Sequence, residues 1–188
     1  MSELIEIVNY YKVNIKPYTY KIMSDNNLLL EFQINEDNLC HLLFGTIQKG
    51  MKNRGNYMGN LGYKNLELET VTKENLPNEI KKHANERTDW FPNIHKLLDN
   101  PKAGYFFNKE IVEIGKAIRL NKTDIQGDFL IYKEVDGYYL HLILKNISQN
   151  GTVVPIPCCF FVRKVSKDRA EMFIEKQKEF RIVKCVKK

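Results

Sequence analysis

The sequence predicts an α+β fold: N-terminal helices packed on a C-terminal antiparallel sheet of about four strands, with an additional β-hairpin near the N-terminus. Three observations carry this. Apolar residues recur at helical spacing through the first half, they alternate at period two from Phe129 onward, and Asp136-Gly137 between two alternating runs marks a tight hairpin. Helices first and antiparallel strands last segregate into layers, which leaves one face of the sheet uncovered.

Taken in order, Ser2 is placed as an N-cap ahead of Leu4, Ile5, Val8 and Tyr11, a helical stripe. "YTYKIM", the turn-forming "SDNN" and "LLLEFQI" make the N-terminal hairpin, with Leu28, Leu30, Phe32 and Ile34 on one face. "NEDNLCHLLFGTIQKGMK" returns to helical period. Leu39, Leu42, Leu43, Thr46 and Ile47 point inward, and His41, Gly45, Gln48 and Lys52 line the opposite side. The glycine- and asparagine-rich segment from Gly50 to Gly62 reads as a loop. "TKENLPNEIKKHANE", "WFPNIHKLLDN" and "NKEIVEIGKAIRL" read as short helices split by proline, asparagine and glycine. The strands are "DFLIYKEV", "YYLHLILKNI", "TVVPIPCCFFVRK" and a closing "EFRIVKCVKK", with "SKDRAEMFIEKQK" as a short helix or a loop.

At 188 residues the chain suits one compact domain spanning 1–188. The net charge of +6 and pI near 9.0 fit two readings equally, an anionic partner with nucleic acid as the first candidate, or a merely solvated basic surface. The first residues lack the basic-then-apolar pattern of a secretion signal. No run approaches the roughly 18 apolar residues of a membrane span. A soluble, cytoplasmic protein without a membrane partner is the expectation. The four cysteines, Cys40, Cys158, Cys159 and Cys185, show no C-x-x-C spacing, and no phosphate-binding glycine loop or H-E-x-x-H motif occurs. No metal and no cofactor are expected.

Chemistry concentrates on the alternation of the C-terminal hairpin. Tyr138, Leu140, Leu142 and Leu144 form a core row, while Tyr139, His141, Ile143 and Lys145 face the other way. In the next strand Val154, Ile156, Cys158, Phe160 and Val162 are apolar, opposite Pro155, Pro157, Cys159, Phe161 and Arg163. Pro155 and Pro157 cannot donate ladder hydrogen bonds, so this end lies at an edge or a bulge. His141, Lys145, Cys159 and Arg163 on one face, with Phe161 and Tyr139 as stacking surfaces, suit a phosphodiester. Cations stabilise charge building on phosphorus and an imidazole moves a proton. Gln48 and Lys52, on the His41 side of the early helix, extend the RNA contact. His83 and His95 read as ordinary helix-surface residues.

"EFQINEDNLCHLL" with Gly45, together with "YYLHLILK", "PIPCCFFVRK" and "FRIVKCVKK", resembles the barnase/EndoU/colicin/RelE-like nucleases of phages and mobile elements. The likeness spans residues 28–45 and 129–188, about two-fifths of the chain. It implies a metal-independent ribonuclease of toxin or phage-conflict type, with His41 as the helix histidine, His141 as the strand histidine and Arg163 as the basic residue after the aromatics. In that chemistry a 2′-hydroxyl attacks the neighbouring phosphate, His41 and His141 act as acid and base, and Arg163 and Lys145 hold the charge. Two features depart from the pattern: Cys159 falls where a serine or threonine is implied, and "HLLFG" carries one extra residue before the glycine.

The departures open other readings. One is a nuclease-like fold that only binds, as an RNA-binding protein or a phage-encoded inhibitor of a host defence complex of CRISPR type. RNA, tRNA included, or a protein of a defence or antitoxin complex is then the partner. Another makes Cys159 a nucleophile with His141 as its base.

Overall fold

The computed structural model describes residues 2–47, 49–114, 121–166 and 171–188, and it is an α+β fold. Helix α1 (Glu3–Asn14) buries the expected Leu4, Ile5, Val8 and Tyr11 together with Ile7. Ser2 stands at its N-cap position but its hydroxyl makes no capping bond. Strands β1 (Tyr20–Ser24) and β2 (Leu29–Phe32) form the hairpin. Helix α2 (Glu36–Phe44) starts at a capping box, in which Asn35 and Asn38 each bond the other's backbone N–H. It stops at Gly45, whose φ of 71° ends the helix, so Thr46 and Ile47 lie beyond it.

The Gly50–Gly62 segment is more ordered than its composition predicts. A 3-10 turn at Arg54–Tyr57 leads into helix α3 (Gly59–Glu67), which buries Tyr63 and Leu66 and packs on α1 and α2. Tertiary packing overrides the glycines here. Helices α4 (Asn78–Trp90) and α5 (Ile94–Asp99) follow, joined by a 3-10 turn at Phe91–Asn93.

Eight further strands complete the fold among the described residues. After β3 (Ala103–Phe106), a 3-10 turn at Lys109–Ile111 and the short strand β4 (Glu113–Ile114), which pairs antiparallel with β5 (Asn121–Lys122), stand in place of the first half of the helix expected over 108–120. Residues 115–120 lie outside the described residues. Strands β6 (Phe129–Val135), β7 (Tyr138–Gln149) and β8 (Thr152–Lys164) form a meander, with the expected turn at Asp136-Gly137. Strands β9 (Lys178–Phe180) and β10 (Ile182–Lys187) end the chain, and the stretch from Glu171 to Lys176 before them is turns.

The main sheet has five strands rather than about four, in the order β8-β7-β6-β3-β9, all antiparallel. The closing segment expected as one strand divides at Arg181. Its first part, β9, joins β3, and its second part, β10, joins β1, which turns the N-terminal hairpin into a three-stranded sheet.

The expectation of an open sheet face is corrected. One face packs Phe129, Ile131, Leu140, Leu142, Leu144, Phe160 and Val162 against the helices and the three-stranded sheet. The other carries Leu130, Tyr132, Tyr139, Ile143, Cys159 and Phe161, and it is covered by Phe107, Val112, Ile125, Met172 and Phe173. The two long connections after β3 and β8 supply that cover. Their apolar residues gain more by burial on the sheet than by exposure in loops.

Register along β7–β8 also differs from simple alternation. Ile143 faces Cys159 but Leu144 faces Pro157, so Cys158 is the extra residue of a bulge. The bulge was expected near the prolines, and β8 is an edge strand as they require. Its consequence was not expected: beyond Cys158 the two faces exchange, Pro155 and Pro157 are buried, and Val154 and Ile156 are only half-buried. Cys158 is therefore not core filler. It is half-buried, and its thiol donates to the Gln126 carbonyl at 3.1 Å.

In β3, Gly104 pairs with Phe180 of β9, and a Cβ there would collide with the Phe180 ring. Gly104→Val should therefore lower stability by about 1–3 kcal/mol through overpacking of this rigid ring. Urea denaturation monitored by circular dichroism measures it, and an unchanged midpoint would show that β9 is not held by this contact.

Candidate anion-binding cleft

A cleft of about 410 Å³ runs beside the edge strand β8. Helix α4 contributes Lys82, His83, Glu86 and Arg87, the strand contributes Phe161, Val162 and Arg163, and the covering segments contribute Thr123, Ile125, Met172 and Phe173. On α4, His83 and Arg87 are four residues apart, so both side chains emerge on the same face of the helix.

Arg87 is fixed from three directions. Its guanidinium rests against the backbone of Gly45, where a Cβ would collide with Nη1. Gly45 caps the C-terminal end of α2, so the cation sits where the helix presents its partial negative charge. The Nη2 group approaches the Cys159 thiol at 4.0 Å, and His41 lies near enough to feel the charge. Even so, the buried Nη1 has no hydrogen-bond partner. Arg163 shows the same deficit. Its Nη2 lies 4.0 Å from the Met172 sulfur, and its buried Nε is unpartnered. Among the described residues neither arginine has a carboxylate partner within ion-pair distance. A buried N–H on a cation without an acceptor is costly, and sulfur is a weak acceptor.

The two histidines near Arg87 both have lowered pKa values. Burial, and then the Arg87 guanidinium, lower the pKa of His41, with the nearby Cys158 backbone acting the other way. Burial, followed by Arg87 and Lys82, lowers that of exposed His83. Cys159 is 6% exposed, and burial raises its thiol pKa although Arg87 opposes the shift. A protonated, sealed thiol is a poor nucleophile.

The hollow expected between His41 and His141 does not form. His141 is fully buried in the second core, stacked on Phe161 with ring centroids 4.5 Å apart and planes 9° apart. Tyr132, Tyr139 and Phe173 surround it. Neither ring nitrogen has a hydrogen-bond partner. Burial drives its pKa down to about 3, while the nearby Phe161 and Tyr139 backbone groups favour the proton without reaching hydrogen-bond geometry. An imidazole sealed this way has no path to a ribose hydroxyl. It is not opposite Cys159 either, because Cys159 pairs with Ile143.

The remaining expected residues disperse. Tyr139 is buried and donates its hydroxyl to Glu171 at 3.0 Å, and Phe161 gives one ring face to His141, so neither offers a free stacking plane. Lys145 is exposed opposite Ile156, past the end of β6, and Lys52 is exposed in the segment after α2. Neither lines the cleft. Gln48 lies outside the described residues. Of the expected set, Arg163 and Phe161 line the cleft, and His41 does not, although it feels the charge of Arg87.

Sequence reasoning missed Arg87 and passed over His83. The one available signal was their spacing of four on a helix, which also describes countless solvated faces. Among the described residues no group of three or more His, Cys, Asp or Glu is arranged to hold a metal ion, and no helix is long and apolar enough to cross a membrane. No family model, curated protein or solved structure matches the chain.

The buried neutral His141 makes stability pH-dependent. Its folded pKa lies below the unfolded value, so between about pH 6 and pH 4 the unfolded chain binds a proton that the folded one refuses. Stability should then fall by about 1.4 kcal/mol per pH unit from this group as the solution is acidified. His141→Phe should remove that contribution, and urea midpoints of both proteins at pH 7.5 and pH 4.5 measure it. Equal acid sensitivity in the two would mean that the ring is protonated or solvated in the native state.

Proposed function

We propose that the protein binds RNA through this cleft, with a phosphate held between Arg87 and Arg163, and does not cleave it by a histidine pair. The observation that carries the reading is two guanidinium groups lining one cleft, each with a buried N–H lacking an acceptor. A phosphate supplies several acceptor oxygens and opposite charge, and arginine's planar fork matches it. Lys82 and the overall charge of +6 favour a polyanion over a small neutral ligand. The likeness to nucleases enters through Arg163, the carried-over residue that lies in the cleft. Catalysis by His41 and His141 has no support in their placement, because one ring is sealed in hydrocarbon.

Labelled RNA incubated with the protein, with and without chelator, tests this directly. The expected result is retarded but intact RNA. Cleavage insensitive to chelator would reinstate the enzyme. In fluorescence anisotropy, Arg87→Ala and Arg163→Ala should each weaken binding about tenfold or more, the loss of one charge-assisted contact. Affinity should fall steeply with salt as counterion release is suppressed. Unchanged affinity in both variants would place the contact elsewhere.

Affinity should also rise as pH drops from 7.5 to 5.5. His41 and His83 have lowered pKa values beside Arg87, and a bound phosphate offsets that repulsion, so binding takes up protons. The other charged side chains lining the cleft are Lys82, Arg163 and Glu86. A flat profile in wild type, or an unchanged slope in His83→Gln combined with His41→Gln, would refute the linkage.

A further inference from the structure

Resting on the RNA-binding reading, we infer that the cleft takes one unstacked, terminally phosphorylated nucleotide: its phosphomonoester lies on Arg87 and Arg163, and its base on the apolar wall of Ile125, Met172 and Phe173.

Size is the first ground. About 410 Å³ falls near the lower end of the roughly 300–1,000 Å³ typical of small-ligand sites, room for a single nucleotide and not for a stretch of duplex. Division of the lining is the second. Arg87, Arg163 and Lys82 supply positive charge to it, with the Glu86 carboxylate also in the lining, and Ile125, Met172 and Phe173 supply apolar surface, the two kinds of contact that a nucleotide itself calls for. The third is charge. A terminal monoester approaches two negative charges where a chain diester carries one, which suits two guanidiniums that have no carboxylate ion pair among the described residues and share the cleft with a lysine.

The rest of the surface argues against a multi-base track. Proteins that follow a single strand stack successive bases on exposed aromatic side chains. Among the described residues the large exposed apolar side chains are aliphatic or methionine, with no aromatic among them. One base is therefore accommodated in the cleft, and neighbouring nucleotides contribute through phosphates on the basic surface.

The ligand chemistry, a nucleoside monophosphate, has two sources: a free nucleotide or the end of an RNA. Calorimetry with adenosine 5′-monophosphate, adenosine and inorganic phosphate is compared with anisotropy on single-stranded RNAs of about ten nucleotides, 5′-phosphorylated or 5′-hydroxyl. Adenosine 5′-monophosphate should bind and displace the phosphorylated RNA, and adenosine should be at least about tenfold weaker. The phosphorylated strand should exceed the hydroxyl strand by about tenfold, a preference erased by Arg87→Ala and by Arg163→Ala. Ile125→Asp, at a half-buried position, should weaken the mononucleotide while the fold, followed by circular dichroism, persists.

Equal affinity for both strands, still dependent on the two arginines, would overturn this inference and leave RNA binding standing. Mononucleotide binding with no RNA bound would support the cleft's ligand and overturn the RNA reading. Binding of neither would overturn both. Displacement of the mononucleotide by a tighter phosphotyrosine peptide would overturn the nucleotide assignment.

Discussion

The pairing of β7 with both β6 and β8 is the constraint on which the rest depends. Each residue of β7 from Tyr138 to Leu144 has a partner on both sides, and both faces of that stretch are covered by apolar side chains. A central strand flanked by two cores can present no side chain to solvent, whatever its chemistry. That is why His141, which looks polar in a strand of leucines, serves as a flat aromatic filler between Tyr132, Tyr139, Phe161 and Phe173. Polar chemistry is thereby pushed to the outer edge of β8, where α2 and α4 pack and the cleft lies.

At that edge, geometry and electrostatics reinforce each other. Gly45 removes the side chain that would exclude Arg87, α2 ends there with its carbonyl charge, and the guanidinium is left short of one acceptor. Arg163 reaches the same space from the strand. Two cations from different elements thus line one cleft, and neither has a carboxylate within ion-pair distance among the described residues. A bound anion would interact favourably with both.

Much of the fold was legible because it rests on local signals. The periods of α1 and α2, the Asp136-Gly137 turn and the alternation of β6 to β8 each act within a few residues. What escaped depends on contacts distant in sequence. Nothing local in "PKAGYFF" marks β3, which forms because β6 and β9 flank it. Alternation assigned Cys159, Phe161 and Arg163 to one side of the sheet correctly, but it cannot report that residues from Phe107 to Ile125 and at Met172 and Phe173 fold over that side. The same limit hid the site: Arg163 stood out beside two aromatics, whereas Arg87 acquires its meaning only from Gly45 and Cys159, far away in the chain.

The division of the closing segment at Arg181 bears on how the chain folds. Through β9 it borders one sheet and through β10 the other, with Tyr20 of β1 set against Lys187, nearly the full chain away. Closing so large a loop costs entropy before any ladder bond is returned, so assembly is slow and its final docking is shared. The tail acts as a clasp, and a chain released before its clasp is made would expose two unsatisfied strand borders at once, a hazard for self-association.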